Sequence, residues 1–422
     1  MTEQVSDLIA ASLTTRDVRI NNGIPRVAIV TSHVIQYQAP LFQRIAESGD
    51  VDLTVFYCDS AGSETYHDKD MKASLAWDIP LLSGYRHEIL YNYSPIGSLN
   101  GFGILNPDLP SKLISGAFDA VIFMGWGVAS YWLGFAACVT RNIPFFIYGD
   151  SNEIPDSDSL RQRFRDRVLR TLFQKAAGFL ISGRYNAYYY EHYGADRSRF
   201  FFVPWAVDND RFERESRQSD AERLKYRQSY GISNDVVVFL FCGKLIPRKA
   251  PLDLVEAFAR ISDQERAVLL FVGDGTERQF IEQICDRYML RNVRVTGFLN
   301  QSKLPTIYGL SDVFVLPSFF DPRATVVNEA MAAGLACVVS DRVGPSGDIV
   351  RNNDNGFVFP AGDIETLSSN LNRFVEEPGL ARRMGQRSRE IIEHWSYKED
   401  VEGIVAAGRF ARSIRTAKGT QS

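Results

Sequence analysis

D-P-R-A-T-V-V-N-E-A-M-A-A-G, residues 321–334, sets two carboxylates, Asp321 and Glu329, eight positions apart. Ala330, Met331, Ala332 and Ala333 favour helix, and Gly334 suits the position just past a helix end. A helix beginning between Arg323 and Thr325 carries Glu329 one to two turns inside. Asp321 then lies just outside its positive end. Free backbone N–H groups at such an end suit an anion, ideally a diphosphate. Carboxylates do not bind phosphate, but they accept hydrogen bonds from hydroxyls. A diphosphate flanked by two hydroxyl-bearing groups is the outline of a nucleotide sugar.

Upstream and downstream of this stretch, short apolar runs alternate with helical patterns. Strands are expected over 27–30, 53–57, 120–124, 145–148, 178–182 and 200–203. A second series is expected over 236–242, 268–272, 293–296, 313–317 and 336–340. Between them lie amphipathic segments such as 251–261, with Pro251 near its start and Leu252, Val255, Phe258 and Ala259 on one face. Alternating β and α predicts parallel, doubly wound sheets covered on both sides. Two series predict two Rossmann-like domains, with the boundary around 204–233, where the strand over 200–203 gives way to the polar, charged stretch 211–227. Ligands of such sheets bind at the carboxyl ends of strands.

Composition agrees with a globular protein. The chain has 422 residues, 45% apolar and 23% charged, enough for two cores. A net charge of −4 disfavours a dedicated nucleic-acid binder. Five cysteines, none at metal-ligand spacing, read as buried small residues in a reducing, cytoplasmic compartment. Residues 1–24 lack a basic region followed by an apolar core and read as a loose leader. The uncharged run 120–139 has the length of a membrane span. Its glycines at 125, 127 and 134 argue instead for strand, turn and helix.

Around the opening stretch stand further chemistry-bearing motifs. G-K-L-I-P-R-K-A, 243–250, puts Gly243 and three cations, Lys244, Arg248 and Lys249, at a strand end. Cations there stabilise a departing diphosphate more than the bound donor. F-V-G-D-G, 271–275, is a strand-end glycine turn but no dinucleotide fingerprint, since Arg278 stands where the third glycine belongs. V-T-G-F-L, 295–299, S-D-V-F-V-L-P-S, 311–318, and P-W-A-V-D, 204–208, complete the set.

Together these motifs, over residues 200–395, resemble retaining GT-B glycosyltransferases of family four, the group-one glycosyl transferases. Glu329, Ala330, Met331 and Gly334 match the second half of the E-x7-E signature. Asp321 stands where the family usually has Glu, and Ala324-Thr325 where it has Gly-Leu. Lys249 matches the family's phosphate-binding lysine, and Lys244 replaces an arginine. The resemblance implies GT-B architecture, with an N-terminal acceptor domain over 25–205 and a C-terminal donor domain over 206–395. A last helix within 396–422 would return to the first domain. It implies transfer of a sugar from a nucleoside-diphosphate donor to a hydroxyl with retention, without metal or other cofactor, in polysaccharide or lipid-linked glycan assembly. By the same route, Lys249, Asp321 and Glu329 are the catalytic candidates. Gly243, Lys244, Lys249, Phe298, Asp321, Ala324, Thr325, Val326 and Glu329 are the donor-binding ones. Phe298 would border the base, with core packing as its alternative. A non-catalytic sugar-nucleotide or glycan-binding protein of the same fold is the rival reading.

The first half departs from the family. T-S-H-V-I-Q-Y-Q-A-P, 31–40, stands in place of a glycine-rich loop, and G-W-G, 125–127, in place of a histidine. His33, Tyr37, Gln38, Trp126 and Asp150 are acceptor-side candidates by their strand-end positions. Three D-x-D pairs, Asp68/Asp70, Asp156/Asp158 and Asp208/Asp210, end no buried strand and are not expected to hold metal. Helix Leu160–Lys175 carries six cations and one acid. It reads either as a solvated face, with Phe164, Val168, Leu169 and Leu172 turned inward, or as a contact for anionic lipid at the inner membrane face.

Overall fold

A computed structural model describes residues 23–63, 66–68, 73–154 and 159–419. Most of the expected leader, the pair Asp156/Asp158 and Asp70 lie outside the described residues. The chain divides into two compact units. The described residues of Met1–Glu64, Pro80–Trp205 and Tyr397–Ser422 form the first, and those of Thr65–Ile79 and Ala206–Ser396 the second.

In the first unit, β1 (Arg26–Thr31), β2 (Asp52–Tyr57), β3 (His87–Ile89), β4 (Ala120–Phe123), β5 (Phe145–Ile147), β6 (Gly178–Ile181) and β7 (Phe200–Phe202) form one parallel sheet. Its spatial order is β3-β2-β1-β4-β5-β6-β7. In the second unit, β8 (Val237–Cys242), β9 (Ala267–Val272), β10 (Val293–Val295), β11 (Val313–Leu316), β12 (Ala336–Ser340) and β13 (Gly356–Phe359) line up as β10-β9-β8-β11-β12-β13, again all parallel. Runs such as V-A-I-V and V-F-V-L are apolar on every position because helices cover both faces, and all their side chains are buried. Each sheet reverses its order once, between β1 and β4 and between β8 and β11. That reversal opens the crevice where ligands of such sheets sit.

Helix starts follow local chemistry. Ser159, Asp208, Ser219 and Asp363 cap helices with their side-chain oxygens. Asp208 of the third D-x-D pair therefore has a structural task, accepting from the Arg211 N–H at 3.1 Å. The run 120–139 folds as β4, a turn and helix Ala129–Thr140. No helix among the described residues is long and apolar enough to cross a membrane.

Three expectations need correction. β3 and β13 escape the periodicity, one being an exposed edge strand and the other a four-residue piece. In helix Pro251–Ala259, Leu254, Val255, Ala257 and Phe258 are buried, whereas Leu252 and Ala259 are half-buried. Helix Leu160–Lys175 buries Leu169, Leu172 and Phe173, but Phe164 is 71% exposed. At about 100° per residue, Phe164 lies roughly 140° around from Leu169, off the buried stripe.

Candidate donor site

The strand reversal of the second unit puts the loop after β8 beside the loop after β11. Gly243 leaves β8 at φ 152°, and its N–H donates to Val272 at 2.9 Å. A Cβ on Gly273 would collide with the Gly243 carbonyl, so these two strand ends approach as bare backbone. Leu245 then bonds the Asp274 carbonyl at 2.9 Å, and a short 3-10 turn, Pro247–Lys249, follows. Lys244 is half-buried at the start of this loop.

The two loops are fastened together. Phe319 N–H donates to the Arg248 carbonyl at 2.9 Å, and the Arg248 guanidinium donates to the Phe320 carbonyl at 2.8 Å. Lys249 Nζ pairs with Asp321 Oδ2, and both side chains are largely buried. The other carboxylate oxygen, Oδ1, accepts from the Ala324 N–H at 3.3 Å. Asp321 is further anchored through its backbone to Arg342 and Gly344, at 3.1 and 2.9 Å. Cation, carboxylate and helix start thus converge on one spot.

Helix Thr325–Ala332 begins there. Ala324 holds φ 42° and ψ 46°, a left-handed conformation that favours glycine. Thr325 and Val326 have no helical carbonyl four residues back, which leaves their N–H groups for another acceptor. At the far end Gly334 adopts φ 85° and closes the helix.

Glu329 is the fifth residue of this helix and 6% exposed. Its Oε2 accepts from the Tyr308 hydroxyl at 2.8 Å. Burial pushes the carboxyl up to about 7, against the opposing pull of the Tyr308 hydrogen bond and the Arg211 charge. Tyr308 is driven upward too, chiefly by burial and then by the charges of Cys242 and Glu329. Arg211 is itself held on Gln301, with bonds of 3.2 and 3.0 Å to its carbonyl and side chain.

Phe298 follows β10 and meets the ring edge of Trp77 at 6.2 Å. Asn300 donates to the Ala76 carbonyl at 2.6 Å, tying this piece of the early chain into the second unit. Sequence reading missed Trp77, Tyr308 and Arg211. All three join the site through long-range contacts, and none belongs to a local motif.

The acceptor-side candidates occupy the carboxyl ends of strands in the first unit. His33 Nδ1 lies 2.9 Å from the Ser32 hydroxyl. Gln38 is buried, its side-chain oxygen accepting from Thr31 at 3.3 Å. The Tyr37 carbonyl accepts from Tyr397 at 3.2 Å. Trp126 stacks on Tyr189 with centroids 5.9 Å apart. Asp150 sits in a turn held by Asn186, which donates to the carbonyls of Gly149 and Ser151 at 3.1 and 2.9 Å. Among the described residues, no cluster of His, Cys, Asp or Glu has the geometry of a metal site.

Residues 222–391 match the family described as glycosyl transferases group 1. An uncharacterized glycosyltransferase of Methanocaldococcus jannaschii is 30% identical over 196 residues, covering 46% of this chain and 50% of the relative. The N-acetyl-alpha-D-glucosaminyl L-malate synthase of Bacillus anthracis is 30% identical over 171 residues, covering 40% and 44%. The chain spans about half the length of the curated relatives it matches. Among solved structures, Anabaena HepE in complex with UDP and glucose superimposes with a TM-score of 0.68 at 18% identity, over 90% of this chain and 98% of that one. Sucrose-phosphate synthase from Thermosynechococcus elongatus gives 0.66 at 18%, over 93% and 100%. The two parallel sheets are those of the GT-B architecture.

Proposed function

We propose that this chain, which belongs to the group 1 glycosyl transferases through residues 222–391, transfers a sugar from a nucleoside-diphosphate donor to a hydroxyl acceptor with retention at the anomeric carbon. One observation carries the reading. Lys249 and Asp321 are paired at the amino end of the helix that buries Glu329, where the strand order reverses. Lys249, with Lys244 on the same loop, meets the charge that builds on the diphosphate as the bond from anomeric carbon to phosphate oxygen breaks. The amides of Thr325 and Val326 hold the phosphates, beside the Ala324 amide that Asp321 already engages, and Gly243 lets the backbone approach. Asp321 accepts from hydroxyls of the donor sugar, and Glu329 from those of the ribose, with Phe298 along the base. The acceptor oxygen forms its bond on the face that the diphosphate leaves, and its proton passes to the departing phosphate oxygen. In this scheme the cations that meet the diphosphate are the protein's own side chains.

HepE is solved with UDP and also with UDP-glucose, so UDP-sugars head the donor panel. The test is thermal shift against nucleotide sugars, followed by donor hydrolysis and transfer assays on wild type and Lys249→Ala. A tight donor raises the transition by mass action. Binding without turnover by the wild type would favour the non-catalytic rival and refute the enzyme.

A second observation favours a partner at an anionic lipid surface, such as the inner membrane face, which suits a lipid-linked acceptor. Leu160 and Phe164 are 82% and 71% exposed on the outward face of helix Leu160–Lys175, with the exposed Arg163, Arg167 and Arg170 beside them. Such a face suits shallow insertion next to lipid phosphates. Phosphatidylglycerol vesicles should sediment the protein, less so at high salt or with Phe164→Ser. Equal sedimentation with neutral vesicles would refute the charge requirement.

A further inference from the structure

The first unit holds a cavity of about 620 Å³ at the carboxyl ends of β2 and β3. Asp59 and Ser60 form one wall, and the loop from Leu90 to Gly103 the other. Its size falls within the roughly 300–1,000 Å³ typical of ligand sites. The loop is firmly built. Asn92 spends both halves of its amide on holding it, donating to Asp59 Oδ2 and the Gly103 carbonyl at 2.8 and 2.9 Å and accepting from the N–H groups of Ser94 and Leu105, both at 3.0 Å. Fully buried Asn106 ties the Tyr91 carbonyl to the Cys58 carbonyl, with bonds of 2.8 and 2.9 Å.

On this fixed frame the aromatic side chains face water instead of the core. Tyr91 is 70% exposed and Tyr93 60%, their rings edge-to-face at 4.7 Å. Ile96 and Leu99 add exposed apolar surface on the same loop. Large rings held in solvent on a loop that Asn92 and Asn106 fix in place mark a binding surface. The chemistry of the wall narrows the ligand. Asp59 is its one charged residue, and no lining residue is basic. Each Asp59 oxygen accepts one internal bond, Oδ1 from the Ala61 N–H at 2.8 Å and Oδ2 from Asn92, and each keeps capacity for another.

The geometry points to a binding site for an uncharged saccharide: Tyr91 offers a ring face to the C–H side of a pyranose, and Asp59 accepts from its hydroxyls. A phosphorylated or carboxylate-bearing ligand would meet a negative wall with no counter-charge. That the bound saccharide is the acceptor rests on the transferase reading; that it binds does not.

The test is saturation-transfer NMR on the full chain. The probes are neutral mono-, di- and trisaccharides of glucose, galactose, mannose and N-acetylglucosamine, with glucose 6-phosphate and phosphatidylcholine vesicles as contrasting arms. At least one neutral saccharide should bind in the millimolar range. Tyr91→Ala should weaken it about ten-fold, and Tyr91→Phe, which keeps the ring, less than about two-fold. Circular dichroism checks that each variant folds, and the UDP thermal shift should be the same in all three proteins. The proposal falls if no neutral saccharide binds, if Tyr91→Ala binds as the wild type does, or if glucose 6-phosphate or the vesicles displace the saccharide from lower concentration. Saccharide binding without any UDP shift would sink the donor reading and leave this site standing.

Discussion

Glu329 carries a proton for longer than an ordinary carboxyl because its helix takes it out of water. Its acidity moves from the usual 4.5 to about 7. Below pH 4.5 folded and unfolded chains both hold the proton, so this group costs the fold nothing there. As pH rises through 7, the unfolded chain ionises freely and the folded one resists. The second unit should therefore lose about 3 kcal/mol between those limits. Glu329→Gln removes the titration, so urea midpoints of the two proteins should diverge from pH 4.5 to 7. Parallel profiles would disprove the burial argument. Lys249 and Asp321 invite a different cycle. Lys249→Ala strands a buried carboxylate and should cost roughly 3 kcal/mol, most of it recovered in Lys249→Ala with Asp321→Ala. Turnover should stay down by about 10²–10³-fold in both, which separates the stabilising pair from the catalytic role proposed for Lys249. Recovery of turnover in the double variant would remove Lys249 from the chemistry.

At the scale of elements, helix Asp220–Ser229 fastens the base of β8 and β11. Arg227 is buried and donates to the carbonyls of Leu310, Asn234 and Val236 at 2.9, 3.1 and 3.1 Å, and to Asp312 at 2.6 Å. Asp312 in turn accepts from the Val238 N–H at 2.8 Å and from Arg223 at 2.6 Å. Three carbonyls and a carboxylate converge on one guanidinium, so Arg227→Ala should cost roughly 3–5 kcal/mol. Denaturation followed by a probe in the second unit checks this. A loss below about 1 kcal/mol would mean that water replaces the guanidinium at no cost. In the sequence this stretch reads only as the polar, charged part of the domain boundary. Its Arg227 shows what that leaves out: a long cation can be buried when the fold supplies its acceptors, here the nearby Asn234 and Val236 carbonyls together with Leu310 and Asp312, 83 and 85 residues further on.

At the scale of the molecule, the first unit depends on the last helix, Tyr397–Gly419, which packs on β7, β6 and β4 and on helix Ala39–Ser48. A Cβ on Gly403 would collide with the Phe202 carbonyl, and Ala407 and Ala411 are fully buried. Gly403→Leu should therefore unfold the first unit at lower temperature and leave the transition of the second near its wild-type value, as two-probe melting can show. A single unshifted transition would contradict this packing. Apolar periodicity alone was enough for the α/β class and for most of the strands, because a parallel strand covered on both faces must be apolar throughout. The carboxylate spacing, the strand-end lysines and the helix they surround were likewise legible as local words in the chain. Folding alone brought Tyr308 onto Glu329, Trp77 beside Phe298 and Phe164 out into solvent, and it alone built the tyrosine-rimmed cavity. Such neighbours share no spacing, since hydrogen bonds and ring contacts between distant segments exist only once the sheets that carry them have assembled.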